Sequence, residues 1–542
     1  MKTCRIQNSY RALILIIGLF IAGCGESFRT IEEPNEPLAK IDLGTTIDSL
    51  AEVFSPASIA VEGYGLVGGL NGTGSAECPP QIRTYLKQYI LQKLPERKVG
   101  VDSFINGLDT AVVVVQGRLP VAASKNQYFD VIVFALPGTQ TTSLEGGWLY
   151  GADLKAAGMF SATIKILATA EGPIFMDTIA PYRIDKKMGY ILAGATVLDE
   201  YKLNIALRRP DYRIASLIRN KLNGRFGEKT ATATSPGQIE LKLPAEYKEQ
   251  KGRFISLVRA IYLTETPEIT EERINAFVRK LAVSEDKYAS ETALEAIGKK
   301  SLDKLAALLN SSNDDVRLSA ARCMLNLGSD RGLGVLREIA MDKNSARRIE
   351  ALVAITAAAN RNDAAGVSRR LLRDESFNIR LAAYEQLRKL DDISVIKKLI
   401  ARDFYLEQIS QTEHKGIYVS RSGQPRIVLF GAPIYCREDI FVQTPDGNIT
   451  INAPAGQKNV TIIRKHPTRP NIIIKLESSF ELSDIIRTLC EEPLKKAGEG
   501  KTGLGVSYAD LIAILKQMCD KGAVEAQFLA GPLPNFGTIV KK

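Results

Sequence analysis

The sequence predicts an α+β protein, several small mixed domains interrupted by an all-α solenoid. Three observations carry that expectation. Short apolar runs separated by glycine turns fill residues 56–200 and return after residue 406. Strands and helices alternate through residues 201–265, and residues 266–405 show helical spacing alone, with a motif that recurs. The chain has 542 residues, enough for three or more cores, and its 45% hydrophobic and 24% charged content is that of a folded globular protein. The net charge of +10 is spread along the chain. A basic balance suits nucleic acid, acidic cell-wall polymer and anionic lipid alike, so the compartment has to choose among them.

The first 24 residues choose it. Lys2, Arg5 and Arg11 form a positive leader, and Ala12 to Ile21 is an apolar core too short to span a bilayer, as in a secretory signal. Ile21-Ala22-Gly23-Cys24 resembles the bacterial lipobox, whose cysteine is acylated and becomes the mature N-terminus. Cys24 is therefore the expected lipidation site; an ordinary signal peptide with an incidental cysteine is the plainer alternative. Gly25 stands where an aspartate commonly retains such proteins in the inner membrane, so a lipid anchor in the outer membrane is expected. An exported lipoprotein does not meet nucleic acid, which leaves the cell wall or neighbouring subunits to face the charge. Residues 25–55, polar and carrying Pro34 and Pro37, read as a tether.

The chain has seven cysteines and no C-x-x-C, so neither a zinc site nor a thioredoxin-type motif is expected. An oxidising compartment permits a disulfide, with Cys436 and Cys519 a possible pair and an odd thiol left over.

The densest signal is Gly63-Tyr64-Gly65-Leu66-Val67-Gly68-Gly69-Leu70-Asn71-Gly72-Thr73-Gly74, which follows a short strand, Ile59 to Glu62. Such a run makes either a tightly folded loop pinned to a core or a phosphate cradle. Its first half spells G-x-G-x-x-G, but the glycines after Gly68 disrupt the helix that a dinucleotide site requires, and Glu96 comes too late for a ribose ligand. The run instead resembles the G-Y-G-L-V-x-G-L-x-G-T-G signature of the flagellar basal-body P-ring protein family, at every fixed position. Two further stretches resemble that family in order: the paired strands Ala111 to Pro120 and Phe129 to Val133, then the turn Ser143-Leu144-Glu145-Gly146-Gly147-Trp148-Leu149.

The remaining elements follow in chain order. Pro79 to Leu94 has helical spacing and Pro80 suits a helix start. Residues 110–119 and 127–136 read as strands, the first continuously apolar over Val112 to Val115 and so buried on both faces. Leu203 to Leu207 is a strand, Asp211 caps a helix through Leu222, Ile239 to Leu243 alternates as a strand, and Phe254 to Ile261 forms one apolar helix face. This module at 201–265 resembles the ring-building motifs of secretion and flagellar rings.

Residues 266–405 have no counterpart in ordinary P-ring proteins. Val316-Arg317-Leu318-Ser319-Ala320-Ala321 recurs around Arg348 and again around Arg380, at steps of 31 and 32 residues, in the manner of short HEAT-like repeats. A degenerate unit is expected near Glu291. Arg317, Arg348 and Arg380 are expected to pair with acidic residues of adjacent units, Asp315 and Asp374 being available; a groove that grips a protein partner is the alternative.

The resemblance resumes at 406–530. Pro425 to Gly431 and Ile440 to Ile451 look like two sheet strands with a turn, and two amphipathic helices follow, the second starting at Ser507 with Asp510 as its capping partner. Residues 510–526 follow the family's closing pattern, with Val524 for Leu, and residues 531–542 form a tail. His414 and His466 lie 52 residues apart in loop-like sequence, no carboxylate spacing suggests acid–base work, and Lys495 stands where Gly500-Lys501-Thr502 would need a P-loop glycine. No enzyme, cofactor or metal is expected. What the resemblance implies is a subunit that tiles with itself into the periplasmic P ring, a passive bushing around the flagellar rod, with peptidoglycan and the L-ring protein as neighbours. A lipoprotein scaffold without a ring, binding a protein through its repeats, is the rival reading.

Overall fold

The computed structural model describes residues 43–54, 58–93, 100–158, 164–179, 185–444, 446–466, 469–491 and 503–536. The leader, Cys24, the tether up to residue 42 and the run at 500–502 lie outside the described residues. The expected α+β class, with an all-α segment inside it, is what the chain adopts.

The described chain opens with α1 (Ile47–Leu50) and β1 (Ala51–Phe54). Residues 51–54 were expected in the tether. They are a strand instead, because Ala51 and Val53 alternate inward and bury against the module that follows.

Next comes a closed barrel of β2 (Ile59–Gly68), β3 (Thr110–Leu119), β4 (Tyr128–Ala135), β5 (Trp148–Ala156), β6 (Ala168–Pro173) and β7 (Met188–Val197), in the order β2-β3-β4-β7-β6-β5. Val61, Val67, Val113, Val115, Val131, Val133, Leu149 and Leu154 fill its interior. Helices α2 (Pro80–Lys93) and α3 (Val101–Ile105) cover the outside of β2 and β3, where Leu66 and Val112 meet Leu86 and Ile105. In the apolar run Val112 to Val115, Val113 and Val115 face the barrel interior and Val112 the helices, while Val114 is half-buried.

The module at 201–265 combines β8 (Leu203–Leu207), α4 (Tyr212–Phe226), β9 (Ala231–Ser235), β10 (Gln238–Leu241) and α5 (Lys251–Ala260). Its sheet runs β1-β8-β10-β9. Asp211 caps α4, its carboxylate accepting from the amides of Arg213 at 2.7 Å and Ile214 at 3.1 Å. Ile218 and Leu222 of α4 and Phe254, Leu257 and Val258 of α5 supply the core.

The helical segment holds α6 (Pro267–Val283), α7 (Tyr288–Ile297), α8 (Leu302–Leu308), α9 (Asp314–Asn326), α10 (Arg331–Met341), α11 (Arg348–Ala358), α12 (Arg361–Leu371) and α13 (Phe377–Lys389). The recurring motif opens α9, α11 and α13, and the degenerate unit at Glu291 falls in α7. A solenoid leaves an apolar face bare at each end, and those faces must be covered. Here the flanking domains cover them. At the start α7 packs on α5, and at the end Phe377 and Tyr384 of α13 pack on Phe430 of the next sheet.

The helices stop at Lys389, short of the expected 405, and the residues beyond are β11 (Ile396–Ile400) and β12 (Phe404–Ile409). With β13 (Gly416–Val419), β14 (Arg426–Phe430) and β19 (Gln527–Ala530) they form a five-stranded sheet, β11-β12-β14-β13-β19. A second sheet is the antiparallel meander β15 (Ile440–Gln443), β16 (Ile449–Ala453), β17 (Val460–His466) and β18 (Arg469–Ser478). The two stretches expected as sheet strands, around Ile427 and Ile440, are strands and lie in different sheets. The cis Ala432–Pro433 peptide and the segment to Asp439 carry the chain between them. α14 (Leu482–Cys490) and α15 (Tyr508–Asp520) pack on both sheets, and Ser507 caps α15 by accepting from the Asp510 amide at 3.2 Å. The cysteines among the described residues, including Cys436 and Cys519, are free thiols, so the possible Cys436–Cys519 bridge is not formed.

Candidate functional site

Only the second half of the glycine-rich stretch makes the loop expected of it. Residues 63–68 continue β2, hydrogen-bonded to β3 along the whole of Ile59–Gly68 and to β5 at both ends. The reason is steric. A β-carbon on Gly63 would overlap the carbonyl oxygen of Asp153, and one on Gly65 would stand 2.6 Å from Leu149 Cδ1 and 3.2 Å from the Gly151 oxygen. The glycines let β5 cross close over β2 and shut the barrel, at a place where their register shifts between Glu62 and Val67. Residues 63–68 are paired with β3 as extended strand, not as the turn into a helix that a phosphate cradle needs.

The turn itself is Gly69 to Gly74. Gly69, Asn71 and Gly72 take left-handed backbone with φ of 78°, 51° and 89°. Leu70 plugs the barrel end, fully buried, while the Thr73 hydroxyl donates to the Leu70 oxygen at 2.9 Å and to the Ser143 oxygen at 2.8 Å. That second bond ties the turn to the Ser143–Leu149 segment. Gly74 passes the end of β3, where a β-carbon would lie 2.6 Å from the Leu108 oxygen. Tyr64 lines an open cleft of about 230 Å³ with Glu62, Tyr85, Asp153 and Lys155. Burial, then the Asp153 charge, pushes the Tyr85 hydroxyl up to about 12, so it stays neutral there.

The same barrel end exposes apolar surface that the sequence did not single out. Gly68 pairs with both Thr110 and Trp148, which brings Leu108 and Trp148 to one rim. Trp148 is 49% exposed, Tyr150 54% and Leu108 64%, and Phe104 packs against Tyr150 with ring centroids 5.3 Å apart. Trp148 is the chain's single tryptophan. Leu108, Trp148 and Tyr150 thus leave exposed apolar surface at this rim.

The three repeat arginines take different roles. Arg348, buried, pairs with Asp374 of the following unit and donates to the Ala340 oxygen at 3.1 Å. Burial alone would raise the Asp374 carboxyl, but Arg348 and the Ser376 amide hold it below the usual range. Arg380 is also buried, over the Phe377 ring, donating to the main-chain oxygens of Asp374 and Glu375, each at 2.8 Å, rather than to a carboxylate. Arg317 lies 3.8 Å from Asp314 of its own helix, because Asp315 is taken by Arg347 at 2.6 Å. Arg348 alone makes the expected pair with an acidic side chain of an adjacent unit; Arg380 is buried on its own unit, and Arg317 is partly exposed.

The strongest ionic contacts were not legible from spacing. Glu291 and Glu295 of α7 are buried with their carboxylates facing Arg253 of α5 and Arg322 of α9. Arg253 reaches Glu291 at 2.8 Å, and Arg322 grips it with two bonds at 2.8 and 2.5 Å. Asn326 donates to Glu295 at 3.1 Å. Two carboxylates and two guanidinium groups balance, which is what a buried cluster needs. The sequence signal was a pair of glutamates four residues apart on an otherwise apolar helix. At the other end, Glu407 on β12 accepts from Tyr384 at 2.6 Å and Arg388 at 3.0 Å, joining α13 to the sheet. The C-terminal part then returns to the barrel: Arg421 pairs with Asp177 at 2.8 Å, and the Asp130 carboxylate accepts from the Gly423 and Ala193 amides. The solenoid is braced at both ends.

One brace titrates. Burial would raise Asp392, but Arg369 and the Ser394 hydroxyl and amide overcome it and hold the carboxyl at about 2. Its folded value lies below the unfolded one near 3.9, so the stabilisation is present above pH 4 and fades as pH falls toward 2. Asp392→Asn is expected to lower stability at pH 7 by on the order of 1 kcal/mol, since Arg369 is half exposed and screened. Urea midpoints measured at pH 7, 5 and 3 should show the gap between variant and parent narrowing only below pH 4.

Among the described residues no group of three His, Cys, Asp or Glu side chains could hold a metal ion, and no helix is long and apolar enough to cross a membrane. His414 is exposed.

The comparisons with known proteins match the same region. The profile of the flagellar P-ring protein family matches residues 46–276, from α1 through the barrel and the module into α6. The flagellar P-ring protein of Thermotoga maritima is 30% identical over 216 residues, 37% of this chain and 61% of the relative. That of Anaeromyxobacter dehalogenans (strain 2CP-C) is 29% identical over 233 residues, 40% of this chain and 59% of the relative. That of Geotalea uraniireducens is 26% identical over 243 residues, 42% and 63% of the two chains. The chain thus spans about three-fifths of the length of the relatives it matches. Over residues 46–276, its barrel and the α+β module that follows, the chain is thus similar to the flagellar P-ring protein family.

Proposed function

We propose that the chain is a structural subunit of a P ring, assembling with copies of itself around the flagellar rod in the periplasm. The observation that carries this is the conjunction at one barrel end: the family signature closes the barrel and the Trp148 rim beside it stands exposed. A closed ring needs heterologous contacts, each subunit offering one surface and a different receptor for it. The rim supplies one such surface. In this reading the ring acts as a passive bushing, with peptidoglycan and the L-ring protein beside it and Cys24 carrying a lipid into the outer membrane. The braced solenoid stands as a rigid addition to the ring, with its stacking bonds satisfied internally.

The test is genetic and structural together. Cells lacking the protein should be non-motile, with basal bodies that lack the middle ring; normal swimming with that ring intact would refute the reading. Trp148→Glu should fold with an unchanged melting temperature, because the side chain is outward, and cut swimming-halo diameter at least severalfold. A halo of parental size would remove the rim from the interface.

A further inference from the structure

The C-terminal meander carries an unusual pair of edges. β15 and β18 are its outer strands, hydrogen-bonded on one side only. On β18 the run Ile472-Ile473-Ile474-Lys475-Leu476 has high strand propensity, yet Ile472 is 44% exposed and Ile473 59%. On β15, at the opposite edge, Phe441 is 58% exposed. Folded chains ordinarily protect long apolar edges with charge, proline or a bulge. Here Pro470 and the register shift at Lys465/His466 sit at the hairpin end, and Lys475 alone interrupts the run.

We infer that β18 of one copy pairs with β15 of the next, so that the four-stranded sheet continues from subunit to subunit. Strand direction favours this occupant. Every neighbouring pair in the meander is antiparallel, so β15 and β18 run in opposite directions. A second copy placed beyond β18 in the same orientation presents its β15 antiparallel to that strand, and the alternation passes across the joint. The levels of the sheet agree. Val442, Ile451, Ile462 and Leu476 lie on one level facing the core, and Phe441, Asn452, Thr461 and Glu477 on the next facing out. Unshifted addition therefore sets Val442 beside Leu476 of the neighbour on the core face. The contact is heterologous, which is the kind that generates a ring. Four or five paired residues bury less than the roughly 1,200 Å² of a stable interface, so the joint works together with the barrel rim.

The inference rests on self-assembly, and the experiment separates the two. Within one chain β15 and β18 are three strand spacings apart, about 14 Å, beyond the reach of a disulfide. In the full-length chain, Phe441→Cys is combined in turn with Ile473→Cys, Lys475→Cys and Glu477→Cys, and the envelope fraction is oxidised beside the parent and each single variant. A ladder of cross-linked multimers in at least one double variant, absent from the single variants, is the expected result. No ladder in any double variant while microscopy shows intact rings would overturn the edge pairing and leave the ring standing. Dimers from Ile473→Cys alone would overturn it too, showing a two-fold β18–β18 contact. Absence of both rings and ladders would refute self-assembly and the edge pairing with it.

Discussion

Glu291→Ala is expected to destabilise the folded chain by about 3–5 kcal/mol, the cost of leaving the Arg322 guanidinium without its carboxylate. Glu291 is fully buried and binds both Arg253 and Arg322, so its truncation strands Arg322 and leaves Arg253 with Glu295 alone. Those arginines sit on α5 of the module at 201–265 and α9 of the helical segment, and the loss should act as a loosened joint. Limited proteolysis is expected to cut between the module and α9 long before the barrel. Glu291→Gln should recover part of the stability by keeping hydrogen-bond acceptance. Glu375→Ala, which removes an exposed pair with Lys343, should leave the urea midpoint where it was. Equal midpoints for Glu291→Ala and the parent would show that the cluster does not hold the joint.

Gly63→Ala should cost about 3 kcal/mol although it adds a single methyl group. The methyl would overlap backbone, the Asp153 carbonyl, and backbone cannot rotate aside as a side chain does. β2 and β5 would have to part at the seam of the barrel, so reduced near-ultraviolet dichroism and early unfolding of 59–68 and 148–156 by hydrogen exchange are expected. Gly72→Ala is the internal comparison: nothing lies within 4 Å of its β-carbon, and its left-handed φ of 89° costs about 1–2 kcal/mol. If the two variants lost the same stability, the close crossing would not explain the signature.

These two sites also show what a sequence discloses. Where local chemistry decides structure, the sequence was legible: Asp211 and Ser507 cap their helices, and in the Val112 to Val115 run all but the half-buried Val114 are buried. The helical repeat was legible for the same reason, since each unit satisfies its own spacing. Glycine misled. Six glycines within Gly63 to Gly74 read as a loop, because local propensity counts flexibility, whereas the fold uses Gly63 and Gly65 for the approach of a strand some ninety residues away. Residues 396–405 were absorbed into the helical repeat although Ile400, Phe404 and Leu406 bury in a sheet whose other strands come later. The Glu291 cluster was invisible for a similar reason: Arg253 and Glu291 are partners only after α5, α7 and α9 have packed.

Self-tiling is the claim on which the rest depends, and imaging of the full-length protein extracted from envelopes tests it most directly. Particles should average to closed annuli of one diameter, with the solenoid repeating at every subunit around the circumference. Single, unassembled molecules across the concentration range, from cells whose flagella are complete, would contradict it.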